Sequence, residues 1–414
     1  MRITVNKITD KLAWLLTVAL LASFVIFIME SWGRYIYISL AAAILLVSVL
    51  GNRGKLIIQI KGFHLWAIAF SIFTFISSLW AVYSASAART NSTTLLLTFI
   101  CAAMVYVHYQ EKVDTHSFLT AVMWAGYVVA VYTLIYYGYD TLKQMAAESS
   151  SRMENEYANV NSIGMIVSLA CVLQINELSS KKNYWSAVMM IPAVVVIAAT
   201  QSRKAFVMLI GGALVIMLLR SLRDKNKVKA LLRFVLIVIV AIIGLRGLLE
   251  LPIFAGVMER MEGLVQSLTG TSSGGSSAAL RSRMRELGWE LFTKYPVSGV
   301  GMSNPQYFAG VRLMFFAYLH NNYVEILAGA GAIGFVLYYS SHAYIVFSLF
   351  KYRKADWNSF LIGIIWMGII LVMDYGMVSY SEKTHLFYMM FHFLNVEAMK
   401  RKYRSMYHEC TKIH

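Results

Sequence analysis

Residues 318–335 read YLHNNYVEILAGAGAIGF, and they join a long polar loop to an apolar run that continues to about residue 349. His320, Asn321, Asn322 and Glu325 stand at the mouth of that run. Below them Ala330 and Gly334 form a small-xxx-small pair, with Gly329 and Gly331 beside it. An apolar run of about 18 residues or more reads as a membrane-spanning helix, because about 20 residues at 1.5 Å each cross the hydrocarbon core. The glycines then imply a face that a neighbouring helix can approach closely.

The rest of the chain repeats the pattern. It has 414 residues, is 58% hydrophobic and has a mean hydropathy of +0.61. Apolar helices are expected near 12–29, 35–50, 63–80, 94–109, 117–137, 159–176, 185–200, 205–220, 234–249, 321–349, 359–378 and 384–398. The first run lacks a small-residue cleavage site and is followed at once by another, so it reads as a span and not as a cleaved leader. The expectation is an all-α polytopic membrane protein, one transmembrane domain over 1–414, with about twelve spans.

Charge orients these spans. The loops at 1–11, 51–62, 110–116, 177–184, 220–233, 350–358 and 399–414 hold roughly 23 Lys and Arg, against roughly 7 in the opposite short loops. Basic loops stay in the cytoplasm, so both termini are expected there. The same distribution accounts for the net charge of +16. It is spread over one membrane face as orientation requires, which argues against a nucleic-acid partner. Cys101 and Cys171 fall in spans and Cys410 in the cytoplasmic tail, so none is placed for an external disulfide.

One loop departs from this economy. Residues 250–320, between the ninth and tenth spans, form a long external segment carrying Arg260, Arg281, Arg283, Arg285, Lys294 and Arg312. Its centre, SLTGTSSGGSSAAL (267–280), has the composition of a flexible stretch. The following RSRMRELGWELFTKYP (281–296) spaces Met284, Leu287, Leu291 and Phe292 as an amphipathic helix at the outer membrane surface. A second external turn, ATQSRKAF (199–206), holds Arg203 and Lys204 between two spans. Arginine forks two hydrogen bonds to phosphate oxygens and keeps its charge. Beside the snorkelling role open to any interfacial arginine, the cluster reads as a site for a phosphorylated lipid, with His320 as proton acceptor.

At this point the residues carry a resemblance. HNNYVEILAGAGAIG is similar to the histidine motif of the O-antigen ligase and Wzy-type polymerase superfamily: His-[Asn/Ser/Gln], nine residues, then Gly-x-x-Gly, here His320, Asn321, Gly331 and Gly334. RSRMRELGWELFTKYPVSGVG resembles the family's segment in which an arginine precedes a Pro-x-x-Gly-x-Gly turn. Arg281 occupies the arginine's place, Arg283 and Arg285 are able to share its role, and Pro296, Gly299 and Gly301 form the turn. TQSRKAF resembles the family's Ser-Arg turn at Arg203, and EYANVNSIG its Asn-x-Asn element at Asn159 and Asn161. The matching order covers residues 150–340.

The resemblance implies a GT-C type glycosyltransferase on the outer face of the bacterial plasma (inner) membrane. Its donor would be a glycan on undecaprenyl pyrophosphate, and its acceptor a sugar hydroxyl of another lipid-linked repeat or, in a ligase, of lipid A–core. His320 would be the catalytic base, and Arg203, Arg281 and Arg285 would bind the pyrophosphate. Arg283, Asn321, Lys204 and Asn161 would be secondary contacts. The residues agree with that chemistry. A pyrophosphate leaving group carries its own activation, arginines stabilise the charge it gains, and imidazole is the side chain that titrates nearest physiological pH. No cofactor or metal is expected: His385 and His392 lie on one helix without a third ligand. Two rivals remain. A transporter would use the intramembrane carboxylates Asp374 and Glu325, and GNRGKLIIQIKG (51–62) has a faint likeness to a carrier loop. Against it, the two halves show no repeat. A carboxylate-dependent membrane glycosyltransferase would use Glu30 in its first external loop.

Overall fold

A computed structural model describes residues 2–148, 153, 156–181, 185–221 and 276–410, with scattered positions between 226 and 259. The described residues are helical, with no strand among them. In chain order the helices are α1 (Arg2–Ile26), α2 (Gly33–Gly51), α3 (Gly62–Ile76), α4 (Ala85–Lys112), α5 (Thr115–Tyr137), α6 (Tyr139–Ala147) and α7 (Val160–Lys181). There follow α8 (Met190–Thr200), α9 (Arg203–Ser221), α10 (Ser276–Lys294), α11 (Pro305–Leu313), α12 (Asn322–Tyr352), α13 (Trp357–Asp374) and α14 (Lys383–Cys410).

Nine helices among the described residues are long and apolar enough to cross a membrane, consistent with a polytopic membrane protein. The expected span at 185–200 is a shorter apolar helix, Ala187–Thr200. That at 384–398 is the start of α14, whose His, Asn, Glu and Lys content keeps it out of the nine. The expected span at 234–249, apart from residues 235, 236 and 239, the Gly/Ser stretch before residue 276 and Arg260 lie outside the described residues.

The chain divides into two compact units. The first comprises residues 1–13, 41–115 and 274–414. Its interior is aromatic: Phe63 stacks on Tyr106 with ring centroids 5.6 Å apart, and the Trp66 indole N–H donates to the Tyr338 carbonyl at 3.2 Å. The amphipathic helix expected at 281–296 forms as α10. Its stripe of Met284, Leu287 and Leu291 is covered by protein, packing with Val300, Phe308, Leu319, Val324 and Ala328. Each such side chain contributes roughly 1.5–3 kcal/mol when fully buried, so α10 is anchored to α11 and α12.

The glycines of α12 do something other than expected. The run read as one continuous helix is broken at Gly331, which takes φ 64° and ψ −167°, a conformation open essentially to glycine alone. The break leaves backbone groups without helical partners, and the Pro296–Gly301 turn supplies them. Ala332 N–H donates to the Pro296 carbonyl at 2.8 Å, Ile333 N–H to Val297 at 3.3 Å, and Val300 N–H to the Ala328 carbonyl at 2.9 Å. A side chain on Gly331 would collide with the Val297 carbonyl, and one on Gly299 with the backbone of Ala328–Ala330. Gly331 and Gly299 thus let a turn dock backbone to backbone. The helix-packing expectation survives only at Gly334, which lies against Phe73 of α3.

The same turn reaches the start of α4. Trp80 donates its indole N–H to the Ser298 carbonyl at 3.0 Å, and the Asn304 carboxamide oxygen accepts from the Tyr83 and Ser84 amides at 2.9 and 2.8 Å. Ser84 caps α4 by accepting from Ala87 N–H at 3.1 Å, a contact of about 1 kcal/mol. That cap starts the helix nine residues before the apolar run expected at 94. The polar stretch 85–93 is therefore helix and not loop.

The second unit comprises residues 14–40 and 116–273. Within it the Tyr157 and Thr133 hydroxyls lie 2.6 Å apart in the interior, and Arg220 donates to both the carbonyl and the side chain of Asn176.

Candidate functional site

The mouth of α12 is built by polar groups that have been assigned local work. Asn321 caps the helix, its side-chain oxygen accepting from Val324 N–H at 3.0 Å, while its NH₂ donates to the Tyr375 carbonyl at 3.1 Å. Glu325, buried one turn in, turns back to accept from Leu319 N–H at 2.8 Å. Asn322 accepts from the Ser379 and Tyr380 amides at 3.0 and 3.1 Å and donates to Asp374 at 3.2 Å. The residues flanking His320 are thus tied on both sides. His320 itself is half-buried and adopts φ 55°, a left-handed conformation that costs a non-glycine residue about 1–2 kcal/mol. Strain held by over-determined neighbours is a mark of functional positions.

Around His320 the first unit gathers part of the expected cluster. Its ring lies edge-on to Tyr318, centroids 4.5 Å apart. Arg281 acts electrostatically on the Tyr318 hydroxyl. Dehydration raises that phenol above its ordinary range, Glu382 adds to the rise, and Arg281 opposes it. One turn along α10, Arg285 places its guanidinium 5.7 Å from the centre of the Tyr375 ring, the residue whose carbonyl receives Asn321. One tyrosine therefore links two elements: Tyr375 receives Asn321 at its carbonyl and faces the Arg285 guanidinium with its ring. Arg283 lies on the exposed face of α10. Arg312 forms a 2.5 Å ion pair with Glu290.

Beside Tyr318 opens a cavity of about 550 Å³. Its wall includes Asn91 from the polar start of α4, Tyr380 and Glu382 from the segment after α13, and Glu325 from the mouth of α12. The two carboxylates considered for a transporter are engaged in this neighbourhood. Glu325 holds the Leu319 amide, and Asp374 receives Ser379, Tyr339 and Asn322.

The second unit contains the Ser-Arg turn. Gln201 takes φ 47° and ends α8, its NH₂ donating to the Met145 and Glu148 carbonyls at 2.7 and 2.8 Å. Ser202 donates its hydroxyl to Asn161 at 3.0 Å, and Asn161 N–H donates to Asn159 at 2.9 Å. The Asn-x-Asn element thus fixes the turn from which Arg203 and Lys204 open α9. Both cations sit where the helix macrodipole is positive and acidic residues are favoured, an arrangement that an anion at the helix start would stabilise.

Most of these residues fall within one further finding. Residues 185–339 match the family model described as O-antigen ligase. That stretch is consistent with the O-antigen ligase and Wzy superfamily of membrane glycan ligases and polymerases, and it contains Arg203, Lys204, Arg281, Arg283, Arg285, His320 and Asn321. No curated protein matches the chain. Among the described residues no group of three His, Cys, Asp or Glu side chains is placed to hold a metal ion. Sequence reasoning missed Tyr375, which joins the mouth of α12 to Arg285, because an isolated tyrosine in a membrane protein carries no positional signal. It also missed the polar start of α4, although Ser84 with Ala85 onward is a legible cap.

Proposed function

We propose that the protein is a GT-C type glycosyltransferase of surface polysaccharide assembly. It transfers an undecaprenyl-pyrophosphate-linked glycan to a sugar hydroxyl of another lipid-linked repeat unit, as a Wzy-type polymerase does. The observation that carries this reading is His320, held in a left-handed backbone between two anchored neighbours and against Tyr318. In this role neutral His320 takes the proton of the acceptor hydroxyl as its oxygen attacks the anomeric carbon and the pyrophosphate departs. Arg281 and Arg285 bind that pyrophosphate and meet the charge it gains, with Asn321 fixing the histidine loop and Arg283 secondary. Arg203, with Lys204 and Asn161, serves phosphate recognition at the start of α9. Both termini face the cytoplasm, and residues 250–320 with the turn at 201–204 face outward. Cysteines introduced at 224–228 then stay protected from an impermeant reagent applied outside. Their labelling would reverse the orientation.

The description of the matched family favours a second reading, in which the acceptor is lipid A–core and the enzyme is a ligase. The two separate in one assay. Purified protein is given a lipid-pyrophosphate oligosaccharide with either lipid A–core or a second lipid-linked repeat, in the presence of a chelator. Polymer on the lipid carrier supports the polymerase, and glycan on lipid A–core supports the ligase. Turnover abolished by the chelator would remove the histidine mechanism and return attention to Glu30.

A further inference from the structure

The sequence places α10 on the membrane surface, yet its apolar stripe is covered by protein. The apolar side chains left bare in this region stand at the end of α11. Val311, Met314, Phe315 and Phe316 are between 43% and 89% exposed. Met314 is the sharpest case. It closes α11 at φ 55°, its amide bonded to the Ala309 carbonyl. Glycine is the usual residue at such a helix end, because other side chains are strained there. Here a methionine bears the strain while 89% exposed. A side chain that touches so little of its own chain is not kept for internal packing. The turn around it is nevertheless preformed: Phe316 folds back over Gly310 and meets Tyr307 edge-on, centroids 4.9 Å apart. Arg312, the one Lys, Arg, Asp or Glu within 305–320, is paired with Glu290, so no unmatched charge of that segment resists burial of the tip.

The height of this tip is set by what holds its base. Asn304, just before α11, accepts from the Tyr83 and Ser84 amides, and Tyr83 sets its ring edge-on to Phe308 at 4.6 Å. These contacts fix α11 to the corner where span α3 gives way to span α4. On the other flank Asn322 donates to Asp374, the last residue of span α13. Asn91, near the start of α4, donates to the Tyr380 hydroxyl just beyond α13 at 2.9 Å, so these span ends lie on one side of the membrane. Residues 304–322 are thus clamped at both ends to the level at which spans leave the bilayer. An exposed apolar patch marks a contact with protein or membrane, and at this level the neighbour is lipid. We propose that Val311, Met314, Phe315 and Phe316 insert into the lipid leaflet on that side and hold the loop leading to His320 at headgroup level. Only side chains enter, because residues 314–316 are not helical and unpaired peptide groups are excluded from hydrocarbon. The contact is independent of the chemistry assigned to His320.

The test uses full-length protein carrying Cys101→Ala, Cys171→Ala and Cys410→Ala, in nanodiscs of phosphatidylethanolamine and phosphatidylglycerol. A nitroxide spin label is attached at Val311→Cys, Met314→Cys or Phe316→Cys, one at a time. Power-saturation EPR then compares collisions with oxygen, which partitions into lipid, and with a nickel chelate, which stays in water. A label at Val336→Cys, an exposed position of span α12, supplies the lipid reference, and one at Asn226→Cys, an exposed position outside the helices, the water reference. The ratio of oxygen to nickel collisions at the three tip positions is expected to approach that at Val336→Cys. A ratio like that at Asn226→Cys would overturn the proposal and leave the tip in water. Protection from both collision partners would also overturn it, and would put a protein, such as a second copy of this chain, over the tip. Phe316 touches Tyr307, so if Phe316→Cys does not fold, the labels at Val311 and Met314 decide the matter alone.

Discussion

The mouth of α12 and the start of α9 are built on one plan. Each begins with a non-glycine residue in the left-handed region, His320 at φ 55° and Gln201 at φ 47°, followed by a side chain that accepts from an amide of the first turn, Asn321 from Val324 and Ser202 from Ala205, and then by helix. The difference lies in which residue is given up to the scaffold. Gln201 is 1% exposed, and its NH₂ group holds two carbonyls, so its strain is spent on anchoring the turn that presents Arg203. At the other mouth the anchoring belongs to Asn321, Asn322 and Glu325, and the strained residue is a half-buried imidazole. Two similar turns thus present two different side-chain chemistries: one offers an imidazole and the other offers cations.

The sharpest break between them is in catalysis. His320→Ala is expected to lower turnover by roughly 10²–10⁴-fold while leaving a folded protein that binds lipid pyrophosphate, whereas Gln201→Ala loses stability first. Its loss of two buried contacts is worth about 1–3 kcal/mol. Thermal unfolding beside single-turnover kinetics measures both, and a His320→Ala variant that unfolds early while turning over normally when folded would invert the assignment. Arg281→Ala and Arg285→Ala should weaken donor binding and turnover together, because the proposed pyrophosphate would be present in the ground state and gain charge on leaving. Lysine at either position should restore only part, since a point charge lacks the bidentate fork. Full rescue by lysine would reduce these arginines to general charge.

How much of this was legible follows from the kind of force involved. Apolar length marks a span without reference to any partner, so the run after Tyr323 and the other strongly apolar spans could be read from composition. The strain at His320 and the break at Gly331 could not. Both depend on groups distant in sequence: the Pro296–Gly301 turn that completes the broken helix, and the Tyr375–Tyr380 segment that receives Asn321 and Asn322. The glycines signalled close approach, but a glycine-rich sequence does not state whether a helix or a turn will approach. The start of α4 was misplaced because hydropathy measures lipid exposure, and residues 85–93 form a helix whose polar side faces a cavity.

Smaller effects sharpen the comparison further. Gly331→Ala should lower the unfolding midpoint by the equivalent of about 1–3 kcal/mol or more, because its φ and ψ are closed to alanine, and should slow transfer by loosening the loop above. An unchanged midpoint would mean that the break in α12 is not required. Asp356 supplies the control, a cap with no strained residue before it. It accepts from Ser359 N–H at 3.0 Å and pairs with Lys402. Burial works to raise its carboxyl, but the Lys402 and Ser359 hydrogen bonds outweigh it and hold the pKa below the ordinary range. A depressed folded-state pKa means that the pair's stabilisation is present above the unfolded carboxylate value and is lost as pH falls through the folded one. Asp356→Ala should therefore cost about 1 kcal/mol near neutrality, less in acid, and leave turnover of the folded protein unchanged.

Chemical rescue at position 320 tests the base most directly. Glycine relieves the left-handed backbone and leaves a gap where the ring stood, so His320→Gly is expected to be as stable as the wild type and to transfer glycan slowly. Added imidazole should then raise its single-turnover rate in a saturable way, with no effect on Arg281→Ala. A His320→Gly variant that transfers at nearly the wild-type rate without imidazole would contradict the account and leave the polar mouth of α12 as a helix cap alone.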